Sequence, residues 1–233
     1  MYKNHTISLV IPCLNEEEGI GRMLVQIPKY IDEVLVVDNG STDRTGEVAR
    51  KLGAKVVREP LRGYGRAYKA GIPNARGDII VTMDGDLSYP LTEIEIMLDP
   101  LVENTCDFVS GARFPLKNKS AMPVLNKVGN FCLSLLTNFL FFKHVKDAQS
   151  GMWAFKKNLY SQIIPMSNGM GFTEEIKINA FTHSPACFAE VAISYHPRVG
   201  EVKLSRFRDG ALCVGTILRS RFRKSWPGSF FYK

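Results

Sequence analysis

Short runs rich in valine and isoleucine alternate with segments of helical character in the first half of the chain. This alternation constrains the fold more than any other feature. The strand-like runs are residues 6–12, 33–38, 55–58, 79–82 and 108–112. Strands separated by helices of about 10–15 residues predict a parallel sheet joined by right-handed crossovers. We therefore predict an α/β fold with a mostly parallel central sheet flanked by helices.

Polar or conformationally restricted residues lie at the ends of four of the five predicted strands. They are Pro12, Asp38, Asp84, Asp86 and Arg113. The carboxyl ends of parallel strands share one edge of a sheet, and ligands of such sheets bind beyond that edge. We expect these residues to meet at one site.

Asp84 and Asp86 flank Gly85 directly after the buried run 79–82. Residues two apart on an extended chain point to the same side, so the two carboxylates are neighbours that repel each other. A hard divalent cation shared with substrate phosphates would resolve that repulsion, and Mg²⁺ or Mn²⁺ prefers such oxygen ligands. A solvated loop after a strand is the alternative for an isolated Asp-x-Asp.

Composition narrows the class of protein. The 233 residues suffice for one good core, and no apolar stretch reaches the roughly 20 residues that span a bilayer. The N-terminus enters a strand directly without a signal-peptide pattern. Five cysteines without metal-type spacing predict reduced thiols in a cytosolic protein.

The formal net charge of +7 predicts an anionic partner. No nucleic-acid recognition motif accompanies the charge, which argues against a nucleic-acid binder. Gly63 and Gly65 begin a dinucleotide-binding pattern, but Tyr68 takes the place of its third glycine, and no P-loop motif occurs.

Seven short motifs, in order along the chain, carry a resemblance to a known family. Residues 11–17 (IPCLNEE), 37–43 (VDNGSTD) and 84–86 (DGD) resemble family 2 glycosyltransferases of the GT-A fold. Residues 111–113 (GAR), 147–151 (DAQSG), 171–175 (GFTEE) and 195–198 (YHPR) look like the branch of dolichyl-phosphate mannose and glucose synthases. The resemblance covers roughly residues 6–210.

The resemblance implies a nucleotide-sugar site and a metal site. The implied donor-binding residues are Pro12, Asn15, Glu16, Asp38, Asp84, Gly85 and Asp86. Asn15 is also a candidate N-cap for the first helix. Asp84 and Asp86 would hold Mg²⁺ or Mn²⁺. Relatives of the mannose-synthase type have Gln two residues after the second Asp, where this chain has the shorter Ser88 as the third expected ligand.

The resemblance also implies an acceptor site for a lipid phosphate. Arg113 would bind the acceptor phosphate, because a guanidinium grips phosphate bidentately. Lys127 and Ser150 are further expected phosphate contacts, and His196 is the histidine expected nearest the site. Asp86, Arg113 and Asp147 are the expected catalytic residues, with Asp147 orienting the sugar or Arg113.

Two segments favour a membrane surface. Residues 124–142 are apolar nearly all round, yet short and interrupted for a span, so either a buried core helix or a membrane-interface helix fits. Residues 211–224 combine arginines with aromatic side chains, which is typical of a segment lying on anionic lipid. We predict a GT-A domain over residues 1–210 and a basic, amphipathic, membrane-associating segment over 211–233.

The predicted reaction is metal-dependent, inverting transfer of a hexose from a nucleotide-sugar to polyprenyl or dolichyl phosphate, by a peripheral protein at the cytoplasmic face of a membrane. UDP-glucose, UDP-N-acetylglucosamine and GDP-mannose all remain candidate donors, with a slight preference for uridine nucleotides. Two alternatives stay open. One is a family 2 transferase acting on a saccharide hydroxyl, with Asp147 as general base; the other is a non-catalytic nucleotide-sugar-binding subunit of a membrane complex.

Overall fold

A computed structural model describes residues 1–182, 187–201, 203 and 205–223. Its centre is a seven-stranded sheet of order β3-β2-β1-β4-β6-β5-β7. The strands are β1 Ile7–Cys13, β2 Glu33–Asp38, β3 Lys55–Arg58, β4 Ile79–Thr82, β5 Phe108–Ala112, β6 Trp153–Lys156 and β7 Phe188–Ala192. The five strands predicted from the sequence are all present, so the α/β prediction is confirmed.

Eight α-helices connect and cover these strands in the part of the chain that the structure describes. They are α1 Glu17–Leu24, α2 Thr45–Lys51, α3 Tyr64–Gly71, α4 Ile94–Val102, α5 Val124–Phe141, α6 Tyr160–Ile163, α7 Phe172–Thr182 and α8 Arg206–Phe222. Short 3-10 turns precede α4 and α6 and follow α3.

The sheet is mostly parallel, as predicted, and the exception is β6. This strand runs antiparallel to both of its neighbours, with Val81 and Val109 each opposite Ala154. The remaining pairs are parallel, including β1 with β4. Because β4 and β5 both oppose β6, they point the same way. The residues after β1, β2, β4 and β5 therefore emerge at one edge.

Apolar layers cover both faces of the sheet, which explains the β-branched runs. Val81, Val36 and Ile11 belong to the layer beneath α1 and α4, whereas Ile80 and Val10 belong to the layer with α3 and α7. Successive residues of one strand thus enter opposite cores, as an extended chain requires.

Helices α5, α7 and α8 form a third cluster beside the sheet. Leu133 of α5, Ile178 of α7 and Cys213 and Ile217 of α8 pack together there. The helix α8 begins at Arg206, five residues before the expected C-terminal segment, and residues 224–233 of that segment lie outside the described residues. Packing against α5 and α7 makes the first part of the segment an integral element of the domain.

The helix α5 has an inverted distribution of polarity. Its buried residues include Asn130, Ser134 and Thr137, while the apolar Phe131 and Phe139 are exposed. Within the described residues this one helix is long and apolar enough to cross a membrane, judged by length and composition, and 22% of it is buried. The expectation that the segment is too short and interrupted was wrong in this respect, because residues 124–141 form one continuous 18-residue helix.

Candidate active site

The loop after β4 carries the two predicted carboxylates to the edge of the sheet. Gly85 lies so close to β1 that a Cβ atom there would be 2.7 Å from the Cys13 Sγ, so a side chain does not fit. Leu87 has a left-handed backbone (φ 62°), a conformation that apolar residues rarely adopt. The tight loop turns Asp86 and Ser88 back toward the site.

Asp84 and Asp86 keep one oxygen each that no hydrogen bond of the described residues uses. The Tyr64 hydroxyl donates to Asp84 Oδ1 at 2.8 Å, and the Ser88 hydroxyl donates to Asp86 Oδ1 at 2.6 Å. Burial and repulsion from Asp86 raise the pKa of Asp84 to about 7. Arg198 lies 3.6 Å from Asp86 Oδ2, and the charges of Arg113 and Arg198 only partly offset the rise in the Asp84 pKa.

A divalent cation fits this pair. Two carboxylate oxygens on one side of a loop are typical of a Mg²⁺ or Mn²⁺ site completed by water and phosphate. Among the described residues, no third His, Cys, Asp or Glu joins them to make a metal-binding group. Ser88, expected as the third ligand, is fully buried and donates its hydroxyl to Asp86, so its contact orients the Asp86 carboxylate.

The first of two neighbouring cavities, about 300 Å³, lies over the ends of β1 and β4. Five of the seven expected donor-binding residues line it: Pro12, Glu16, Asp84, Gly85 and Asp86. Asn39, Gly63 and Tyr64 complete the same wall. The cavity is the structure's candidate for a nucleotide-sugar site.

Asn15 and Asp38 do not line that cavity. Asn15 has a left-handed backbone (φ 52°), so it does not cap α1, and its side-chain oxygen accepts the Thr42 N–H at 2.7 Å. Asp38 accepts the Ser41 N–H at 2.9 Å. Both side chains fix the loop of residues 39–43 beside the cavity. Asp43 in that loop accepts the N–H of Thr45, the first residue of α2, at 2.9 Å.

A cationic segment after β7 crosses the donor cavity. Arg198 and Lys203 both bind the buried carboxylate of Glu16, at 3.0 and 2.6 Å. The Val199 N–H donates to the Asp86 carbonyl at 2.8 Å and anchors the segment. His196, expected near the site, is exposed and its backbone N–H binds the Ser88 carbonyl; its neighbours Tyr195, Pro197 and Arg198 line a cavity instead.

The second cavity, about 580 Å³, extends from the carboxylates between α5 and α8. Its polar end holds Asp84, Asp86 and Arg113, and most of its remaining wall is apolar. The apolar wall includes Met122, Pro123, Leu125, Val128, Leu133, Met170, Phe207 and Cys213. A charged end and an apolar body match an amphiphilic ligand.

Arg113 and Asp147 form a buried bidentate pair. Arg113 Nε and Nη2 donate to the two carboxylate oxygens at 2.7 and 2.8 Å, and the Arg113 backbone N–H adds a third bond at 3.0 Å. The guanidinium also lies 5.1 Å from the Tyr195 ring centroid. Asp147 does not use Nη1, and Arg113 is one of the residues that line the second cavity. The guanidinium holds the pKa of Asp147 low although burial opposes it.

Lys127 and Ser150 face away from the second cavity. Lys127 donates to the Lys119 carbonyl. Ser150 is fully buried, and its carbonyl accepts the indole N–H of Trp153 at 2.6 Å. The neighbour Gln149 lines the cavity, and its Nε2 is buried without a hydrogen-bond partner in the described structure.

Several residues at these cavities were missed in the sequence. They are Asn39, Tyr64, Gln149, Lys203 and Asp209. Gln149 lies inside a quoted motif, so its spacing was a usable signal. Asp209 lies far along the chain from the predicted site motifs, and nothing local distinguishes it from a surface residue.

The model of the family "Glycosyl transferase family 2" matches residues 8–164. A dolichyl-phosphate hexose transferase of Haloferax volcanii is 36% identical over 221 residues, which are 94% of this chain and 95% of that protein. A dodecaprenyl-phosphate galacturonate synthase of Rhizobium johnstonii is 28% identical and covers 97% of this chain and 70% of its own length.

Solved structures share the fold. Glucosyl-3-phosphoglycerate synthase of Mycobacterium tuberculosis, crystallised with Mn²⁺, uridine diphosphate and phosphoglyceric acid, superposes with a TM-score of 0.76 at 23% identity. The match covers 95% of this chain and 80% of that one. The predicted GT-A architecture is confirmed by this likeness.

Proposed function

The chain belongs to glycosyl transferase family 2, and from this premise we propose that it transfers a hexose from a nucleotide-sugar to a polyprenyl or dolichyl phosphate. The single observation that carries the proposal is the meeting of two cavities at Asp84 and Asp86. The first is lined by carboxylates and cations that suit the metal and diphosphate of a nucleotide-sugar, and the second is mostly apolar with an arginine in its lining.

An acceptor phosphate suits the chemistry of the second cavity. A phosphate monoester is mostly dianionic at neutral pH, so it needs position and charge compensation more than a general base. Arg113 can supply both through Nη1, because Asp147 already fixes the guanidinium by two hydrogen bonds. The free amide of Gln149 is a second donor for the same group.

Asp84 and Asp86 would hold Mg²⁺ or Mn²⁺ together with the donor diphosphate. When bound, such a cation neutralises charge on the departing nucleoside diphosphate. The Tyr64 and Ser88 hydroxyls keep the two carboxylates aimed at that position. Arg198 and Lys203 lie over the same cavity and would compensate the remaining phosphate charge after releasing Glu16.

The outer faces of α5 and α8 support binding to a membrane surface, where a lipid acceptor is found. Both helices expose large apolar side chains: Val124, Leu125, Val128, Phe131, Leu135 and Phe139 on α5, and Phe207, Leu212, Val214, Leu218 and Phe222 on α8. The sequence of α8 contains four arginines and one aspartate, and basic residues bind anionic headgroups. Peripheral attachment at a cytoplasmic face is part of this proposal.

Transfer to a saccharide hydroxyl is less well supported, because it requires a general base on the acceptor side. Asp147, the expected base, is fully buried, paired with Arg113 and absent from the lining of both cavities. A carboxylate held by a guanidinium, with its pKa lowered, is a poor proton acceptor.

The test is a donor screen with an isoprenoid phosphate. UDP-glucose, UDP-N-acetylglucosamine and GDP-mannose are each incubated with polyprenyl phosphate and Mg²⁺ or Mn²⁺, and the lipid product is identified by mass spectrometry. We expect one donor to give a glycosyl-phosphate lipid, with uridine nucleotides favoured. Absence of lipid product with every donor would contradict the proposal.

A further inference from the structure

We propose that Asp209, on the first turn of α8, binds hydroxyl groups of the sugar being transferred and selects a neutral hexose over a hexuronic acid. This inference rests on the proposed function, since it assigns the sugar position between the two cavities described above. It makes α8 a part of the donor site as well as of the acceptor wall.

The position of the sugar follows from the reaction. The anomeric carbon must lie between the donor diphosphate and the acceptor phosphate, so residues that line both cavities surround the hexose. Six residues do so: Tyr64, Asp84, Asp86, Met170, Arg198 and Asp209. Asp84 and Asp86 would hold the expected metal, the Tyr64 hydroxyl donates to Asp84, and Arg198 is paired with Glu16.

Asp209 is the polar group of this set with capacity left for a sugar. Its Oδ2 accepts the Ser205 N–H at 2.8 Å, which caps α8 and fixes the carboxylate. Its Oδ1 is in no hydrogen bond among the described residues, and the side chain is half-buried at the junction. An ionised carboxylate is a strong acceptor for hydroxyl donors.

The charge at the junction determines which sugars fit. Arg113 is neutralised by Asp147, and Arg198 and Lys203 are engaged by Glu16 or by the donor phosphates. A hexuronate would therefore bring its carboxylate against Asp209, while the three described cations that line the cavities already have anionic partners. Like charges at a contact distance disfavour binding, whereas hydroxyl groups of a neutral hexose find an acceptor.

The test measures donor binding, which does not depend on the acceptor. UDP, UDP-glucose and UDP-glucuronate, with Mn²⁺, are titrated calorimetrically into the wild type, Asp209→Ala, Asp209→Asn and the matched control Arg208→Ala, whose side chain is exposed. If the wild type binds guanosine instead of uridine nucleotides, GDP, GDP-mannose and GDP-mannuronate replace them. The thermal unfolding midpoint of each variant shows how much stability is lost with the hydrogen bond between the Ser205 N–H and Asp209.

We expect Asp209→Ala to weaken UDP-glucose binding about tenfold, the effect of losing a hydrogen bond to a charged group, and to leave UDP binding within about twofold because UDP has no sugar to contact. Asp209→Asn should reduce the ratio of the UDP-glucuronate to the UDP-glucose dissociation constant about tenfold, because the negative charge is removed. Arg208→Ala should match the wild type.

Three outcomes would overturn the inference. Asp209→Ala could lose UDP and UDP-glucose binding equally, or Asp209→Asn could keep the wild-type preference for UDP-glucose over UDP-glucuronate. Asp209→Ala could also bind the donor normally but lose transfer, which would make Asp209 a base for an acceptor hydroxyl. Failure of the proposed function differs from these, because selective sugar binding would persist while no lipid product formed.

Discussion

At the scale of single residues, the carboxylates and the arginine of the site have partners that set their roles. Asp86 is held by the Ser88 hydroxyl and Arg113 by Asp147. Asp86 and Arg113 are thus oriented by neighbours that line neither cavity, which is how a site keeps its geometry before substrate arrives.

Asp86→Asn should abolish metal-dependent transfer while preserving the fold. The amide keeps the size of the side chain but removes one of the two anionic ligands on which a hard cation depends. We expect at least a hundredfold (~2.7 kcal/mol) loss of turnover at saturating Mn²⁺, measured beside the thermal unfolding midpoint. Near-normal turnover with the same metal dependence would contradict the assignment.

Arg113→Ala should lower transfer far more than slow hydrolysis of the donor by water. Removing one side of a buried charge pair costs on the order of 2–5 kcal/mol, and hydrolysis does not use the acceptor phosphate. Arg113→Lys should recover part of the activity, because an ammonium keeps the charge without the bidentate fork. Transfer and hydrolysis are measured side by side.

If Arg113→Ala lowers the rates of transfer and hydrolysis equally, Arg113 binds the donor and not the acceptor phosphate. Asp147→Asn serves as the control for orientation, since it leaves the guanidinium in place but weakens its pairing with Asp147. We expect its transfer rate to fall between those of the wild type and Arg113→Ala.

Glu174, on α7, gives the protein a dependence of stability on pH. Burial raises the pKa of Glu174 to about 7, although the Cys213 thiol and Lys177 act to lower it. Neither carboxylate oxygen accepts a hydrogen bond of normal geometry. The unfolded chain releases this proton near its ordinary pKa of 4.5. The free energy of unfolding should therefore fall between about pH 4.5 and 7 and then level off.

Glu174→Gln should remove the loss of stability that the wild type suffers when Glu174 ionises. We expect the variant to unfold several degrees above the wild type at pH 8, for a gain of about 1–3 kcal/mol, and close to it at pH 4.5. Glu175→Gln is the matched control, because Glu175 accepts the Ser167 N–H at 2.9 Å and lies 3.7 Å from Arg223. A pH-independent difference between Glu174→Gln and the wild type would be inconsistent with the account.

At the scale of elements, the composition of α5 is not explained by packing within the domain alone. Its exposed face is apolar, and the part buried against the domain contains Asn130, Ser134 and Thr137. Asn130 accepts the Gln149 N–H at 2.9 Å and thereby positions the loop beside the acceptor cavity. The polar side of α5 thus builds the site, and the apolar side is available for lipid.

Replacing Phe131 and Phe139 by Ser should weaken binding to anionic vesicles without lowering stability. These side chains are 66% and 74% exposed, so the fold loses little, whereas each phenyl group contributes on the order of 1.5–3 kcal/mol when it enters an apolar phase. Vesicle co-sedimentation and thermal unfolding are the measurements. Val25→Ser, which alters an equally exposed side chain (70%) after α1, is the control.

Binding of the protein to anionic vesicles should also weaken as the salt concentration rises if the arginines of α8 face the headgroups, because mobile ions screen surface charge. If the double variant binds vesicles as strongly as the wild type, α5 does not contact the membrane.

At the scale of the whole molecule, the sheet and the donor side were predictable from local patterns. Strand β4 and the loop that follows it are encoded within thirteen residues, and parallel topology then places Pro12 beside Asp84. Strands β6 and β7 were missed, because Trp153–Lys156 and Phe188–Ala192 lie outside the regular strand–helix alternation of the first half of the chain.

The acceptor side was harder to predict, since it is built from long-range contacts. Arg113 and Asp147 are 34 residues apart, and Lys203 reaches Glu16 from 187 residues away. A sequence motif such as 147–151 marks the loop but not which side chain faces inward, so Ser150 was chosen where Gln149 lines the cavity. Side-chain direction in a loop depends on its neighbours in space.

The central claim is that the acceptor is a lipid phosphate, and one comparison of acceptors tests it most directly. Polyprenyl phosphate, the corresponding polyprenol and an alkyl hexoside are offered separately to the wild type with the preferred donor and Mn²⁺, and initial transfer rates are measured. We predict transfer to the phosphate at least a hundredfold (~2.7 kcal/mol) faster than to either hydroxyl. Arg113 is placed for a dianion, and the three described carboxylates that line the cavity are assigned to other partners, Asp84 and Asp86 to the metal and Asp209 to the sugar. Faster transfer to the alkyl hexoside than to polyprenyl phosphate would contradict the account.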